Sequence, residues 1–369
     1  MIEHLKSLPI EQQVGQFFCI GIGGPEIDVS TRDLLSEVSP GGVCLFARNI
    51  REATQTRELL DQLRSQSLVT PMLSIDQEGG LVDRLRRIMT PMPAANSIKT
   101  PGEAEKLASI IAETLLILGF NTNFAPVVDV IDEERAKHPN GLFSREFGRS
   151  STDVVELAGA YIGKLQQGGI LGCVKHFPGL GAAQVDSHEE LPQVAVTEEE
   201  FRSTELFPYR ELFRSGGVKA VMAAHAVFPR LGLQETDKNG KLLPSSLSFN
   251  LITKLLCDEL GFSGLVITDD LEMGAIVKNY GIGDACKMAI NAGADMLAIC
   301  ADRERIREGF NSVLAATRNG EISSTRLEQS LSRIAAFKTL FAPPLPFDPN
   351  RLEQLSRETS DLNDCLRRD

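Results

Sequence analysis

Acidic, basic and imidazole side chains follow several short apolar runs of this sequence, each at the point where the run ends. They are Asp76, Asp129, Lys175, His176, His225, Asp269 and Asp270. Carboxylate, imidazole and ammonium groups are the side chains that serve as nucleophiles and as general acids and bases. If the apolar runs are neighbouring strands, these groups meet at one edge of a sheet. The sequence therefore predicts an active site at that edge.

A second candidate lies in the segment from residue 178 to residue 196, which has no helical pattern. Loops of this length inside a compact domain are usually functional or act as lids. The segment contains Asp186 and His188, and their i, i+2 spacing puts both side chains on one side of an extended backbone. The Asp186 carboxylate can then orient the His188 imidazole, which suits proton transfer near neutral pH.

The elements that must position these groups are eight apolar runs that alternate with amphipathic helical patterns. The predicted strands are residues 16–22, 42–46, 72–75, 122–128, 171–177, 218–224, 265–268 and 296–299, and the predicted helices are residues 52–67, 103–118, 152–167, 197–215, 247–260 and 283–292. Consecutive apolar residues, without alternation, are typical of parallel strands that are buried on both faces. Eight strand–helix units predict an α/β protein with a single (β/α)8 TIM-type barrel, whose chemistry lies at the carboxyl ends of the strands.

A doubly wound parallel sheet is the alternative architecture. It needs no eighth strand, and Gly21, Gly23 and Gly24 do not have the GxGxxG spacing that usually follows its first strand. We predict a barrel domain over residues 1–340. Residues 341–369 are predicted to be a short appendage, because four prolines between Pro343 and Pro349 interrupt the pattern before a polar tail.

Composition narrows the class of partner. The chain has 38 basic and 50 acidic residues and a formal net charge of −12, which repels nucleic-acid phosphates.

No apolar run approaches the ~20 residues of a membrane helix, and the N-terminus shows no secretory signal. Seven scattered cysteines without a CxxC pattern predict free, buried thiols in a reducing compartment. We expect a cytoplasmic protein with no nucleic-acid or membrane partner; a monomer fits these features, and the oligomeric state stays open.

Several reaction classes match the candidate residues less well than glycoside hydrolysis. A barrel metallohydrolase would have histidines on its first strand, and residues 16–22 contain none, while Lys175 adds a positive charge beside His176. A serine hydrolase would need a GxSxG elbow, which the chain lacks. A phosphate-binding isomerase would have a glycine-rich loop after the seventh strand, where Asp269 and Asp270 stand instead. A carboxylate nucleophile with a separate proton donor fits best, as in a retaining glycosidase.

At these positions the chain resembles family-3 glycoside hydrolases, and more narrowly their bacterial β-N-acetylglucosaminidases. Residues 261–273 resemble the nucleophile signature, and residues 175–179 followed by 186–188 resemble the histidine loop of that subgroup. Four further motifs match in order, at residues 45–49, 76–80, 123–130 and 145–148. The resemblance covers about residues 10 to 335.

This resemblance implies roles for individual residues. Asp269 is implied to be the nucleophile, and His188, held by Asp186, the general acid/base. The positions implied to bind the non-reducing sugar are Asp76, Arg84, Arg145, Lys175 and His176. The implied substrate is a terminal β-linked N-acetylglucosamine on a small carbohydrate or muropeptide from recycled cell wall, where the aglycone is anhydro-muramic acid. No metal or other cofactor is implied.

The sequence departs from the family pattern at two positions. Leu180 stands between Gly179 and Gly181 where the family often has histidine, which affects docking of the loop more than the chemistry. Leu81 stands where the family often has arginine, whereas Arg84 keeps its place.

Three other functions stay open. A phosphorylase could use the same Asp269 and His188, because a histidine repels incoming phosphate less than a carboxylate does. A metal-dependent barrel hydrolase would be sensitive to chelators. A non-catalytic sugar-binding barrel would have no need of an aligned nucleophile and acid.

Overall fold

The computed structural model describes residues 1–368, and its centre is a closed barrel of eight parallel strands. The barrel strands are β1 (Phe18–Gly21), β2 (Gly42–Leu45), β3 (Met72–Ile75), β6 (Thr122–Asn123), β7 (Leu171–Phe177), β8 (Ala220–Ala223), β9 (Leu265–Asp270) and β10 (Met296–Ile299); β4 (Gln77–Gly79) and β5 (Val82–Asp83) form a separate antiparallel hairpin. β1 pairs with both β2 and β10, which closes the ring. The predicted (β/α)8 barrel is confirmed.

Burial of the barrel strands on both faces explains why the predicted strands are apolar at consecutive positions. Seven of the eight barrel strands are buried at every residue, because one face lines the barrel interior and the other packs against the helices. The strand bounds differ from the prediction in two places that matter for the site. β6 ends at Asn123, and the chain after it, where Pro126 has no N–H to donate, continues beside β7 as an isolated bridge between Val127 and Lys175. β9 extends to Asp270, so both adjacent aspartates lie within the strand.

Helices surround the barrel. They are α1 (Ile2–Ser7), α2 (Ile10–Gly15), α3 (Val29–Val38), α4 (Ala53–Gln66), α5 (Pro101–Leu118), α6 (Ser151–Gln167), α7 (Glu198–Glu200), α8 (Phe207–Arg214), α9 (Gly274–Val277), α10 (Ile282–Ala292), α11 (Arg303–Asn319), α12 (Ser324–Lys338) and α13 (Pro349–Leu366), with π-helical segments at Phe201–Glu205 and Asn250–Glu259. Capping boxes fix the start of two of them, through Thr100 with Glu103 before α5 and Ser150 with Asp153 before α6.

The single helix predicted over residues 197–215 is wrong in detail. The chain forms α7, a π-helical segment and α8 in succession, because Pro208 has no N–H for a continuous α-helical ladder. The segment from 178 to 196 has no helix or strand, as the sequence predicts.

The C-terminal segment packs on the barrel through α13. The Arg351 guanidinium forms two hydrogen bonds, of 2.6 and 2.7 Å, to the Glu113 carboxylate on α5, and Ser356 meets Thr90 at 2.8 Å. All seven cysteines are free, and five are buried. Over residues 1–368, no helix has the length and apolar character needed to cross a membrane.

Candidate active site

The carboxyl ends of the barrel strands surround one pocket, and all eight residues that the family resemblance implies for the site line it. They are Asp76, Arg84, Arg145, Lys175, His176, Asp186, His188 and Asp269. Six loops and strand ends contribute these side chains, so the barrel brings together residues that are up to 193 positions apart in the chain (269 − 76). Of the other strand-end candidates, Asp270 lines the pocket as well, whereas Asp129 and His225 are not among its lining residues.

The β4–β5 hairpin fixes the part of the pocket that follows β3. The Gln77 side chain donates to the Asp83 carboxylate at 2.8 Å and accepts from the Arg84 N–H at 3.0 Å. The Asn123 side chain at the end of β6 accepts from the Gln77 N–H at 2.9 Å and donates to its carbonyl at 2.9 Å. This buried amide network holds Glu78 and Arg84 in place without using their own charged groups.

A chain of alternating charges forms one wall of the pocket. The Lys175 ammonium lies 2.7 Å from Asp76 and 2.6 Å from Glu78. The Arg145 guanidinium holds the other side of Glu78 with two hydrogen bonds of 2.8 and 2.9 Å. Burial alone would raise the pKa of the Glu78 carboxyl, but Arg145 and Lys175 hold that pKa well below its usual range. Glu78 is therefore ionised, and both carboxylates are paired with cations.

We expect Glu78→Gln to destabilise the fold by about 3–5 kcal/mol, because it leaves buried cations without their partner. The carboxylate contributes this stability at neutral pH, and the contribution is lost as pH falls through its lowered folded-state pKa. Chemical denaturation of both proteins measures the difference. Glu133→Gln is the matched control, because its pair with Arg149 is exposed and is expected to contribute about 0.5 kcal/mol or less. Equal losses in the two variants would contradict the prediction.

Asp129 orients the His176 ring through the ring nitrogen that faces away from the pocket. His176 Nδ1 lies 2.7 Å from the Asp129 carboxylate, which also accepts the Leu180 backbone N–H at 2.7 Å. The opposite nitrogen, Nε2, faces the pocket 3.4 Å from Arg145. The same carboxylate thus sets the direction of an imidazole and holds the first residues of the loop that carries His188.

Two adjacent aspartates at the end of β9 have opposite electrostatic environments. Burial would raise the pKa of Asp269, but the His176 ring, a 2.8 Å hydrogen bond from the Asp270 N–H and the Lys175 ammonium lower it. Burial raises the pKa of Asp270 to about 7, and the neighbouring Glu272 and Asp269 carboxylates add to the rise. At neutral pH, Asp269 is therefore ionised, whereas Asp270 is protonated in a large fraction of the molecules.

The long loop places an oriented imidazole over the same pocket. His188 Nδ1 lies 2.7 Å from the Asp186 carboxylate, and that oxygen also accepts the His188 backbone N–H at 2.8 Å. The His188 side chain is 68% exposed, so its other nitrogen is open to solvent and ligand. The pairing predicted from the i, i+2 spacing is present.

The loop docks on the segment that follows β9. The backbone N–H groups of Gly274 and Ala275 donate to the carbonyl groups of His188 and Ser187, at 3.0 and 3.2 Å. A Cβ at Gly274 would lie 2.3 Å from the Glu189 carbonyl oxygen, so only glycine permits this approach. The docking brings His188 to the strand that carries Asp269.

The two departures from the family pattern have different surroundings. Leu180 is buried, and its backbone N–H donates to Asp129, a contact that does not use the leucine side chain. Leu81 stands exposed at the tip of the β4–β5 hairpin. Arg84 keeps its place in the pocket, 3.9 Å from Asp76, with its guanidinium over the Phe46 ring at 5.6 Å.

Several residues in or behind the pocket had no assigned role in the sequence. Glu78 and Asp129 closely follow the predicted strands 72–75 and 122–128, which is a signal, but their partners Arg145 and His176 are remote in the chain. His225 lies fully buried behind Asp270, with Nε2 3.0 Å from its carbonyl oxygen. Phe46 and Met273 also line the pocket and lie within the matching motifs at residues 45–49 and 261–273, whereas Asn140 and Met222 line it outside any motif that could have identified them.

The contacts of the pocket carboxylates Asp76 and Glu78 favour a metal-independent reaction over the metal-dependent alternative. Lys175 contacts one oxygen of Asp76, and Lys175 and Arg145 together contact both oxygens of Glu78, so these carboxylates already have cationic partners. Across the described residues 1–368, no three His, Cys, Asp or Glu side chains are grouped in a way that could hold a metal ion.

The fold and this pocket define a (β/α)8-barrel glycoside hydrolase. Residues 9–337 match the profile of the glycosyl hydrolase family 3 N terminal domain. The chain belongs to this family.

Relatives with this barrel support the assignment. The chain is 30% identical to a β-hexosaminidase of Tolumonas auensis over 87% of this chain and 98% of that protein. It is 35% identical to a β-hexosaminidase of Pseudomonas aeruginosa over 77% of this chain and 82% of that one. Among solved structures, a family 3 β-N-acetylglucosaminidase from Paenibacillus sp. superposes with a TM-score of 0.85 and 34% identity, covering 96% of this chain and 69% of the other.

Proposed function

We propose that the protein is a retaining β-N-acetylglucosaminidase that removes terminal β-linked N-acetylglucosamine through a covalent intermediate on Asp269. The observation that carries this proposal is that one pocket contains the ionised Asp269 carboxylate and the His188 imidazole, which Asp186 orients. The other pocket carboxylates, Asp76 and Glu78, are already paired with cations. The names of the relatives, β-hexosaminidase and β-N-acetylglucosaminidase, support the choice of sugar.

In the first step, Asp269 attacks the anomeric carbon as the bond to the glycosidic oxygen breaks. His188 donates its proton to that oxygen, and the aglycone leaves as an alcohol. In the second step, His188 takes a proton from water, whose oxygen attacks the anomeric carbon and releases Asp269 as a carboxylate. An imidazole ring can both give and accept a proton near neutral pH, which suits one side chain to both steps.

The electrostatics support Asp269, and not Asp270, as the nucleophile. A carboxylate must be ionised to attack, and the pKa of Asp269 is lowered while that of Asp270 is raised to about 7. The Asp270 side chain also accepts the Glu272 N–H at 3.0 Å, which is a structural use of that carboxylate.

The charged wall is proposed to bind the non-reducing sugar. Asp76, Lys175 and His176 present hydrogen-bonding atoms to the pocket, and Arg84 and Arg145 add guanidinium donors. Sugar hydroxyls both donate and accept, so alternating carboxylates and cations suit them. Because Lys175 and Arg145 are already held by Glu78, they are in position before a sugar binds.

We further propose that the substrates are small cell-wall fragments and that the protein acts in the cytoplasm on muropeptides or on the disaccharide with anhydro-muramic acid. Release of N-acetylglucosamine from that disaccharide by the purified protein is the direct test. Failure to cleave it, with turnover of other β-N-acetylglucosaminides, would overturn this part alone.

The test of the reaction is turnover of a chromogenic β-N-acetylglucosaminide beside the matching β-glucoside, each with and without phosphate. We expect hydrolysis of the N-acetylated substrate, with the free sugar as product in both buffers. A sugar 1-phosphate as the product would favour the phosphorylase alternative. Binding without any turnover would favour a sugar-binding barrel.

We expect activity to survive EDTA, because Lys175 and Arg145 already neutralise the carboxylates of the pocket wall. The measurement is the rate on the chromogenic substrate before and after dialysis against the chelator. Reproducible loss that zinc or another divalent ion restores would move the reaction to the metal-dependent class.

A further inference from the structure

We propose that the C-terminal helix α13 is a positioning element of the sugar-binding pocket, and that its residues Ser356 and Asn363 act through Arg84. The inference rests on the proposed function, in which Arg84 binds the non-reducing sugar. Helix α13 (Pro349–Leu366) lies outside residues 9–337, which match the family profile. The family assignment therefore does not account for this helix.

Helix α13 is fixed to the barrel by contacts that do not involve the pocket. The Arg351 guanidinium forms two hydrogen bonds, of 2.6 and 2.7 Å, to the Glu113 carboxylate on α5. The buried residues of α13 have the spacing of one helical face, and they are Leu352, Leu355, Thr359 and Leu362. A helix that is held by apolar packing and by an ion pair can support a neighbouring segment.

Two side chains of α13 hold residues 90–92, which are called the linking segment. The Ser356 hydroxyl accepts the Thr90 backbone N–H at 2.8 Å and lies 2.8 Å from the Thr90 hydroxyl. Further along the same helix, Asn363 Nδ2 donates to the Pro91 carbonyl at 2.9 Å. The helix thus binds a backbone N–H and a backbone carbonyl of adjacent residues, which fixes both the place and the direction of the linking segment.

The linking segment in turn supports the β4–β5 hairpin. The Met92 N–H donates to the Asp83 carboxylate at 2.9 Å, and the Met92 carbonyl accepts the Gly80 N–H at 3.0 Å. The Asp83 carboxylate also accepts the Gln77 side-chain amide, whose oxygen accepts the Arg84 N–H. Hydrogen bonds and a short stretch of backbone therefore connect α13 to the Arg84 backbone.

Arg84 depends on this support because its own side chain has few polar contacts. Its guanidinium lies 3.9 Å from Asp76, and its Nε is buried with no hydrogen-bond partner among residues 1–368. The Arg145 guanidinium, by contrast, is held by two hydrogen bonds of 2.8 and 2.9 Å to Glu78. The position of the Arg84 guanidinium is therefore set mainly by its backbone, and a small displacement of the hairpin moves it away from the sugar.

The experiment measures kcat and KM on the chromogenic β-N-acetylglucosaminide, and the Kd of N-acetylglucosamine by calorimetry. Ser356→Ala combined with Asn363→Ala, the α13 double variant, removes both contacts to the linking segment and keeps the buried face of the helix. We expect KM and Kd to rise about three- to tenfold, the scale of one lost hydrogen bond. The value of kcat should change little, because the lost binding is common to the ground state and the transition state. Ser356→Thr keeps the hydroxyl and should keep both constants.

A double-mutant cycle with Arg84 separates positioning from general support of the fold. In an Arg84→Ala background, the α13 double variant should have no further effect on KM or Kd, because the group through which it acts is absent. Arg357→Ala is the matched control, because Arg357 lies on the same helix and its side chain is 72% exposed. It should change neither constant.

An equal rise in KM with and without Arg84, a loss in kcat alone, or no change in the α13 double variant would overturn the inference and leave the proposed function standing. An equal effect of Arg357→Ala would overturn it as well. If the unchanged protein hydrolyses no β-N-acetylglucosaminide, the proposed function fails, and the Kd values of the cycle still decide the inference. Absence of measurable N-acetylglucosamine binding in that case would overturn both.

Discussion

Asp269→Ala is expected to abolish turnover while leaving the fold intact. Without the carboxylate no covalent intermediate forms, and loss of a catalytic nucleophile costs about 10⁴-fold or more in kcat. The Asp269 side chain accepts a hydrogen bond from the adjacent Asp270 N–H, a contact within its own strand, so the melting temperature should change little. The measurements are kcat on an activated aryl β-N-acetylglucosaminide and thermal unfolding.

Asp270→Asn is the matched control for this prediction. An asparagine oxygen can still accept the Glu272 N–H that Asp270 accepts now, so most of the activity should remain. A fluorinated sugar that traps the glycosyl intermediate should label Asp269 in the unchanged protein. If mass spectrometry places the label on Asp270, or if the control loses as much activity as Asp269→Ala, the nucleophile is assigned to the wrong residue.

His188→Ala is expected to slow substrates with basic leaving groups by about 10²–10⁴-fold, the usual contribution of a general acid. Protonation matters most when the departing oxygen is strongly basic, so a sugar aglycone should suffer most and an acidic phenol least. The measurement is kcat/KM on aryl glycosides whose leaving groups cover a range of acidity. The exposed imidazole has its own loop as support, so the substitution should not unfold the protein.

Asp186→Asn should give the same trend more mildly, because it weakens the 2.7 Å contact that orients His188 without removing the imidazole. For each variant, kcat/KM is plotted against the acidity of the leaving group. Comparing the slopes for His188→Ala and Asp186→Asn distinguishes loss of the proton donor from loss of its orientation. A single common factor for all substrates would mean that His188 binds substrate, and that the proton donor is elsewhere, with Glu189, Glu190 and Glu78 the next candidates.

Much of the architecture could be predicted because it depends on local pattern. Strands buried on both faces require consecutive apolar residues, and such runs as 72–75 and 296–299 coincide with β3 and β10. In a parallel barrel all strand ends of one polarity meet at one face, so the polar residues after those runs had to converge. The Asp186–His188 pair could also be predicted from local pattern, because a contact between two residues of one short segment does not depend on the tertiary structure.

Tertiary structure decided how the charges are paired and which of them are ionised. The partners in each pair come from segments that are remote in the chain, as with Glu78 and Arg145 or Asp129 and His176, and sequence spacing does not reveal such contacts. Asp269 and Asp270 are identical in sequence chemistry, yet their pKa values shift in opposite directions. The cause is three-dimensional: desolvation and the cations around each carboxyl depend on neighbours that only the closed barrel brings within reach.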